Sequence, residues 1–164
     1  MNDHQTAEEI AAHLAPGGPV AQAAAWLKHL VEDDDFEAAW HLTSGALRRR
    51  LIEAWVHANW THPWMQRFDL ETLAESLMED RAPSPVWAAF QQTQMEEFHD
   101  AYDAEYPHLG VASRPRPLGL DLETVIFTDT RVVPTLVTQP TLVRARSFRM
   151  SRVADEWLVD GLDE

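Results

Sequence analysis

Leu120-Asp121-Leu122-Glu123-Thr124-Val125-Ile126-Phe127-Thr128 is the stretch on which the fold of this chain turns. It follows the breaker Pro115-Arg116-Pro117. Before that breaker, apolar residues recur at the three- and four-residue spacing of helical faces; beyond it the period drops towards two and β-branched residues dominate. The alternation predicts strands at about 120–128, 131–138, 141–151 and 156–162, with Ala154-Asp155 as the turn before the last. Pro134 and Pro140 restrict the second strand to an edge or an irregular position, since proline cannot donate to a ladder. Helices first and strands afterwards is the pattern of an α+β fold, with helices packed on one face of a curved antiparallel sheet.

Working back towards the start, helical spacing accounts for most of the chain. Val20, Ala23, Ala24, Leu27, Leu30 and Val31 form one apolar face, which the acidic run Glu32-Asp33-Asp34-Asp35 interrupts. Asp35 is placed to cap a short second helix carrying Phe36, Ala39 and Trp40, and Thr43 or Ser44 to cap a third that stops before Pro63. Asp69 is placed to cap a fourth helix; Thr72 stands where a full capping box would hold Glu or Gln. Pro83 and Pro85 open a fifth, on which Trp87, Phe90, Gln94, Phe98, Ala101 and Tyr102 follow helical spacing. Residues 1–18 read as a flexible arm ending at Pro16-Gly17-Gly18-Pro19, and 19–164 as a single domain.

Seven tryptophans and 45% hydrophobic content in 164 residues supply one core and exclude a disordered chain. The absence of cysteine excludes disulfides and thiolate chemistry. A formal charge of −14 disfavours nucleic acid and anionic membranes as partners of the general surface. No apolar run reaches the length of a membrane span, and Met1–Glu9 lacks the pattern of a signal peptide, so the expected location is cytoplasmic. Charge is uneven: residues 113–152 carry 7 basic against 3 acidic side chains, whereas residues 1–112 carry 6 against 19. The expected sheet is thus locally basic, through solvent-facing arginines or through Arg144 and Arg146 facing an anionic ligand or partner.

Two segments resemble a known superfamily. Leu27-Lys28-His29-Leu30-Val31-Glu32-Asp33-Asp34-Asp35-Phe36-Glu37-Ala38-Ala39-Trp40 is similar to the opening of the nuclear transport factor 2-like (SnoaL-like, cystatin-like cone) superfamily, where a helix runs through an acidic turn into two aromatics flanking two small residues. Asp155-Glu156-Trp157-Leu158-Val159-Asp160-Gly161-Leu162 resembles its last strand. The resemblance implies a cone: helices pack into a bent sheet and leave a pocket at the open end. The superfamily holds ketosteroid isomerases, scytalone dehydratase, limonene epoxide hydrolase, polyketide cyclases and non-catalytic binding modules, so it does not select a function. The chain departs from the plan at residues 63–112, which read as two extra helices. It also offers no match to the catalytic Tyr–Asp pair of the isomerases, because Tyr102 and Tyr106 lie in that extra segment.

The residues expected to line a pocket are Trp26, Trp55, His57, Trp60, Trp64, Gln94, Phe98, Arg144 and Arg146. Aromatic walls with imidazoles near His57-Ala58-Asn59-Trp60-Thr61-His62-Pro63-Trp64 suit a flat apolar ligand or a general base; equally, they suit a helix end with core tryptophans and exposed histidines. The spacing of His57 and His62 does not place both rings on one helical face, so no metal site is expected. Gln94 sits on an apolar stripe, where its amide either bonds backbone or looks into a wet cavity. Asp121 and Glu123 share a strand face and read as solvent-facing. No phosphate-binding glycine loop, serine elbow or zinc motif is present, and no cofactor is expected. The expectation is therefore a binding module for a small apolar or anionic ligand, dimerising through its sheet. The alternative is an isomerase, cyclase or hydrolase acting on a small apolar substrate.

Overall fold

In the computed structural model, which describes residues 7–111, 116–130 and 145–162, the change of period at Pro115 is the change from helix to sheet. Six helices come first: α1 (Ala7–Leu14), α2 (Pro19–Val31), α3 (Phe36–His41), α4 (Gly45–Asn59), α5 (Leu70–Met78) and α6 (Ser84–Tyr102). The strands β1 (Leu109–Val111), β2 (Arg116–Pro117), β3 (Leu122–Asp129), β4 (Ala145–Val153) and β5 (Glu156–Leu162) follow. All pair antiparallel in the order β1-β3-β4-β5, with β2 also on β3, so the class is α+β. Among the described residues, no helix is long and apolar enough to cross a membrane.

Local chemistry sets the helix starts. Asp35 accepts the Ala38 N–H at 3.0 Å and Ser44 that of Leu47 at 3.1 Å. Asp69 accepts both the N–H of Thr72, at 3.1 Å, and its hydroxyl, at 2.6 Å. Each cap satisfies an otherwise orphan donor and contributes about 1 kcal/mol. The β4–β5 hairpin turns on Ala154 and Asp155, both left-handed (φ 50° and 65°), the geometry whose twist matches the flanking strands. A bulge between Arg149 and Met150 leaves Asp160 as the extra residue of β5.

The core lies between α2, α6 and the sheet. Val125, Phe127, Phe148, Met150 and Val159 turn one sheet face to Trp26, Leu27, Leu30 and Phe98. Trp26 is at its centre, edge-on to Phe98 at 5.1 Å and to Phe148 at 5.8 Å between ring centroids. Burying an indole of this size contributes roughly 5 kcal/mol, provided its N–H is satisfied. That N–H donates to Thr43 Oγ1 at 3.0 Å, and the Thr43 hydroxyl donates to the Ala39 carbonyl at 2.8 Å. Thr43 belongs to the α3–α4 connection, which lies along β5: Val159 N–H donates to Leu42 O, and Ser44 N–H to Val159 O.

Three expectations are corrected. The arm is not loose throughout, because Ala7–Leu14 is helical and His13 is buried. Glu123 does not face solvent. His13 Nδ1 approaches its Oε1 to 2.8 Å, off the N–H axis of a hydrogen bond, so helix α1 covers this carboxylate. The strands β1 and β2 went unanticipated, since segments of two and three residues hold their shape only by pairing with β3. The expected strand at 131–138 and the start of the one at 141–151 lie outside the described residues; β5 has the expected bounds.

A histidine brace joins the ends of two helices. His99 on α6 places Nδ1 2.7 Å from Asp103 and Nε2 2.7 Å from Asp34 in the α2–α3 turn. The hydrogen bond to Asp103, and secondarily that to Asp34, raise its pKa above the ordinary 6.5.

Three measurements test this architecture. Thr43→Val should lower unfolding stability by about 1–3 kcal/mol by stranding the Trp26 N–H, while Thr43→Ser should recover most of it; equal loss in both variants would show the bond to be incidental. A Cβ at Gly18 would meet the carbonyls of Ala12 at 2.7 Å and Ala15 at 2.9 Å, so Gly18→Ala should displace α1 and expose it to limited proteolysis. An unchanged cleavage pattern would contradict that packing. Because the folded pKa of His99 is raised, its stabilisation is fully present below the unfolded value and is lost as pH rises through the folded one. His99→Gln should therefore cost less than about 1 kcal/mol, since both carboxylates are more than half exposed, and only at the acidic side. A cost independent of pH would refute the brace.

Candidate functional site

The chain leaves α4 through Trp60, turns at Thr61-His62-Pro63, and runs through a short 3-10 turn, Met65–Arg67, to the cap of α5. This path splits the expected aromatic and imidazole cluster in two. His57 and Trp60 line a groove of about 460 Å³ between α4 and α5, with Val56, Leu70 and Ala74 as apolar lining and Arg49, Glu53, Glu71 and Glu75 around it. Trp60 is half exposed, whereas Trp64 points elsewhere. His57 and His62 are exposed and make no side-chain hydrogen bond or ion pair among the described residues, so no described carboxylate orients either imidazole as a base. Among the described residues, no group of three His, Asp or Glu side chains is arranged to hold a metal.

Trp64 lines a second cleft, also about 460 Å³, between the Met65–Arg67 turn and the start of α6. Its walls are Trp64, Phe68, Pro83, Pro85, Val86 and Ala89, and its one charged group is Arg67. The wall is built from below: Trp64 packs against Trp55 at 6.1 Å, and Trp55 against Phe90 of α6 at 5.5 Å. The indole N–H of Trp55 donates to Thr93 at 3.3 Å, fixing the ring that supports Trp64. Two prolines at the mouth remove backbone donors, leaving an apolar rim. Arg67 is exposed, and its side chain has no hydrogen bond or ion pair among the described residues.

The other expected site residues are packed into the interior. Trp26 and Phe98 face each other in the core, and Trp55 is 4% exposed. Gln94 is buried between Phe90 and Phe98, and its Oε1 has no hydrogen-bond partner. Arg146 does not stand free: Nε donates to Glu105 at 2.8 Å, Nη2 to the Ala101 carbonyl at 2.9 Å, and the guanidinium lies over the Tyr102 ring at 5.2 Å. It locks the end of α6 to β4. Arg144 lies outside the described residues. Phe68, Arg67 and Val86 were missed as site residues, because nothing local signals that the α5–α6 excursion returns Val86 to the turn after α4.

Comparison of this chain with protein-family models, with curated proteins and with solved structures finds no match in any of the three.

Proposed function

We propose that this protein is a binding module for a small ligand with an apolar body and an anionic end, held in the Trp64–Phe68 cleft. The observation that carries this reading is Arg67, a cation with no partner among the described residues beside an otherwise apolar wall. The volume, about 460 Å³, is that of small-molecule sites, which combine apolar walls with a few polar groups fixing orientation. Apolar contact supplies affinity, and the guanidinium selects a carboxylate or related anion. The resemblance to the cone-shaped superfamily, which includes many non-catalytic binding modules, supports the same reading. Dimerisation through the outward sheet face belongs to it as well: Leu122, Ile126 and Leu158 share that face with Arg149. Sedimentation as a strict monomer well above micromolar concentration would remove the dimer.

An enzymatic role is less supported, since the imidazoles lack orienting carboxylates and the cluster divides between two clefts. Calorimetric titration tests the binding reading. Octanoate should bind in preference to octyl alcohol, Arg67→Ala should weaken octanoate about tenfold with little effect on the alcohol, and Trp64→Ala should weaken both. Failure of octanoate to bind at millimolar concentration, or an Arg67→Ala variant that binds it unchanged, would end this proposal.

A further inference from the structure

The groove between α4 and α5 shares no residue with the Trp64–Phe68 cleft and has the form of a seat for a third helix. We infer that it is a protein-docking surface whose occupant is an amphipathic helix of a partner protein, with an apolar ridge flanked by Lys or Arg.

The shape follows from helical spacing. On α4 the lining residues Arg49, Glu53, Val56, His57 and Trp60 stand at i, i+4, i+7, i+8 and i+11, which places them on one face. At the α-helical rise that face makes a seam roughly 16 Å long. Leu70, Glu71, Ala74 and Glu75 of α5 supply the opposite wall. Both helices turn other residues to the core, Ile52 and Trp55 from α4 and Leu73 and Leu77 from α5. The groove is thus a second apolar seam beside the one the core covers. Ala74 ends at Cβ, which lets another backbone come close, since helix separation is set by the side chains at the contact. Trp60 is 51% exposed, and no other aromatic ring among the described residues is open to that degree. A tryptophan standing beside an apolar groove is the composition of an interface anchor.

Charge selects the occupant. Around the seam stand Glu53, Glu71 and Glu75 against Arg49, which lies 3.9 Å from Glu53 in an exposed and therefore weak pair. The side chains of Glu71 and Glu75 have no hydrogen bond or ion pair among the described residues. They are four positions apart on one helix, where like charges repel. Glu75 also lies in the last turn of α5, where the helix dipole favours a cation and where no basic residue stands. Lysine at that position would serve α5 better on both counts, so the carboxylates are held against local preference, and a cationic partner offsets that cost. The same charge disfavours a second copy: two chains of net charge −14 would meet acidic rim to acidic rim. A helix laid in the seam covers Val56, Leu70 and Trp60 with its ridge, while its basic flank reaches Glu71 and Glu75.

The probe is a peptide of leucine and lysine, about fourteen residues long so that it can hold a helix, with leucine at helical spacing on one face. A peptide of the same composition with that spacing scrambled is the control. Fluorescence anisotropy of the labelled peptide follows binding to the whole chain. The patterned peptide should bind saturably, and the scrambled one about tenfold more weakly. Trp60→Ala, and Glu71→Lys combined with Glu75→Lys, are exposed changes outside the core; each should weaken the patterned peptide about tenfold, and only the charge variant should also reduce its salt dependence. Absence of saturable binding, equal binding of the scrambled peptide, or unchanged affinity in either variant would each overturn the assignment. Sedimentation of the chain alone gives the remaining outcome: self-association that Trp60→Ala abolishes would assign the groove to a second copy and remove the partner helix. Octanoate binding at Arg67 is read separately, so groove and cleft can fail independently.

Discussion

The bond from the Trp26 indole to the Thr43 hydroxyl is the constraint around which the rest of the molecule is arranged. It lets the largest side chain of α2 enter the core without stranding a donor, and it anchors the α3–α4 connection at one point. That connection then serves three elements at once. Its Leu42 and Ser44 backbone groups complete the outer edge of β5, and the Ser44 side chain both starts α4 and donates to Asp160 at 2.6 Å. The bulge that frees Asp160 from the ladder is what lets its carboxylate accept from Ser44 and from Arg149. Helical layer and sheet are thus joined by directional bonds as well as by apolar contact, which fixes their relative position more closely than burial alone would.

The Trp64–Phe68 cleft and a slot beside Trp87 both inherit their shape from this arrangement. Phe36, Trp40, Trp55, Trp87 and Phe90 form a continuous aromatic layer between α3, α4 and α6. Trp64 and Trp87 stand at the margins of that layer, one beside Arg67 and the other beside Glu37 and Asp80. The two clefts are therefore the edges of a packed core. Their rigidity comes from rings already held on their inner side, and a ligand does not have to order them.

What could be read from the sequence was what local chemistry decides. The caps Asp35, Ser44 and Asp69 were legible because a cap depends on a residue and its neighbours three positions on. So was β5 with its turn, where alternation and two turn-prone positions agree. The docking of α1 was not legible, because His13 reads as one more polar residue in an alanine-rich stretch until Glu123 is found opposite it. Glu123 was misjudged for the converse reason: alternation gives the face of a strand, not which face is covered. Within the site, His57 and Trp60 do share a groove, as their three-residue spacing at the end of a helix allows. Trp64 was grouped with them only because it is close in the chain, and the turn at Pro63 sends it to a different wall.

The parallel bridge between Thr43 and Val159 carries a consequence for synthesis. Ser44 and Asp160 are separated by 116 positions, and Trp26 waits longer still for Phe148. The helices therefore leave the ribosome with the Trp26 face of α2 uncovered, and it closes only when the final hairpin arrives. Until then the nascent chain offers a sticky surface to chaperones and to its own neighbours. Truncation anywhere upstream of that hairpin would leave this surface permanently open.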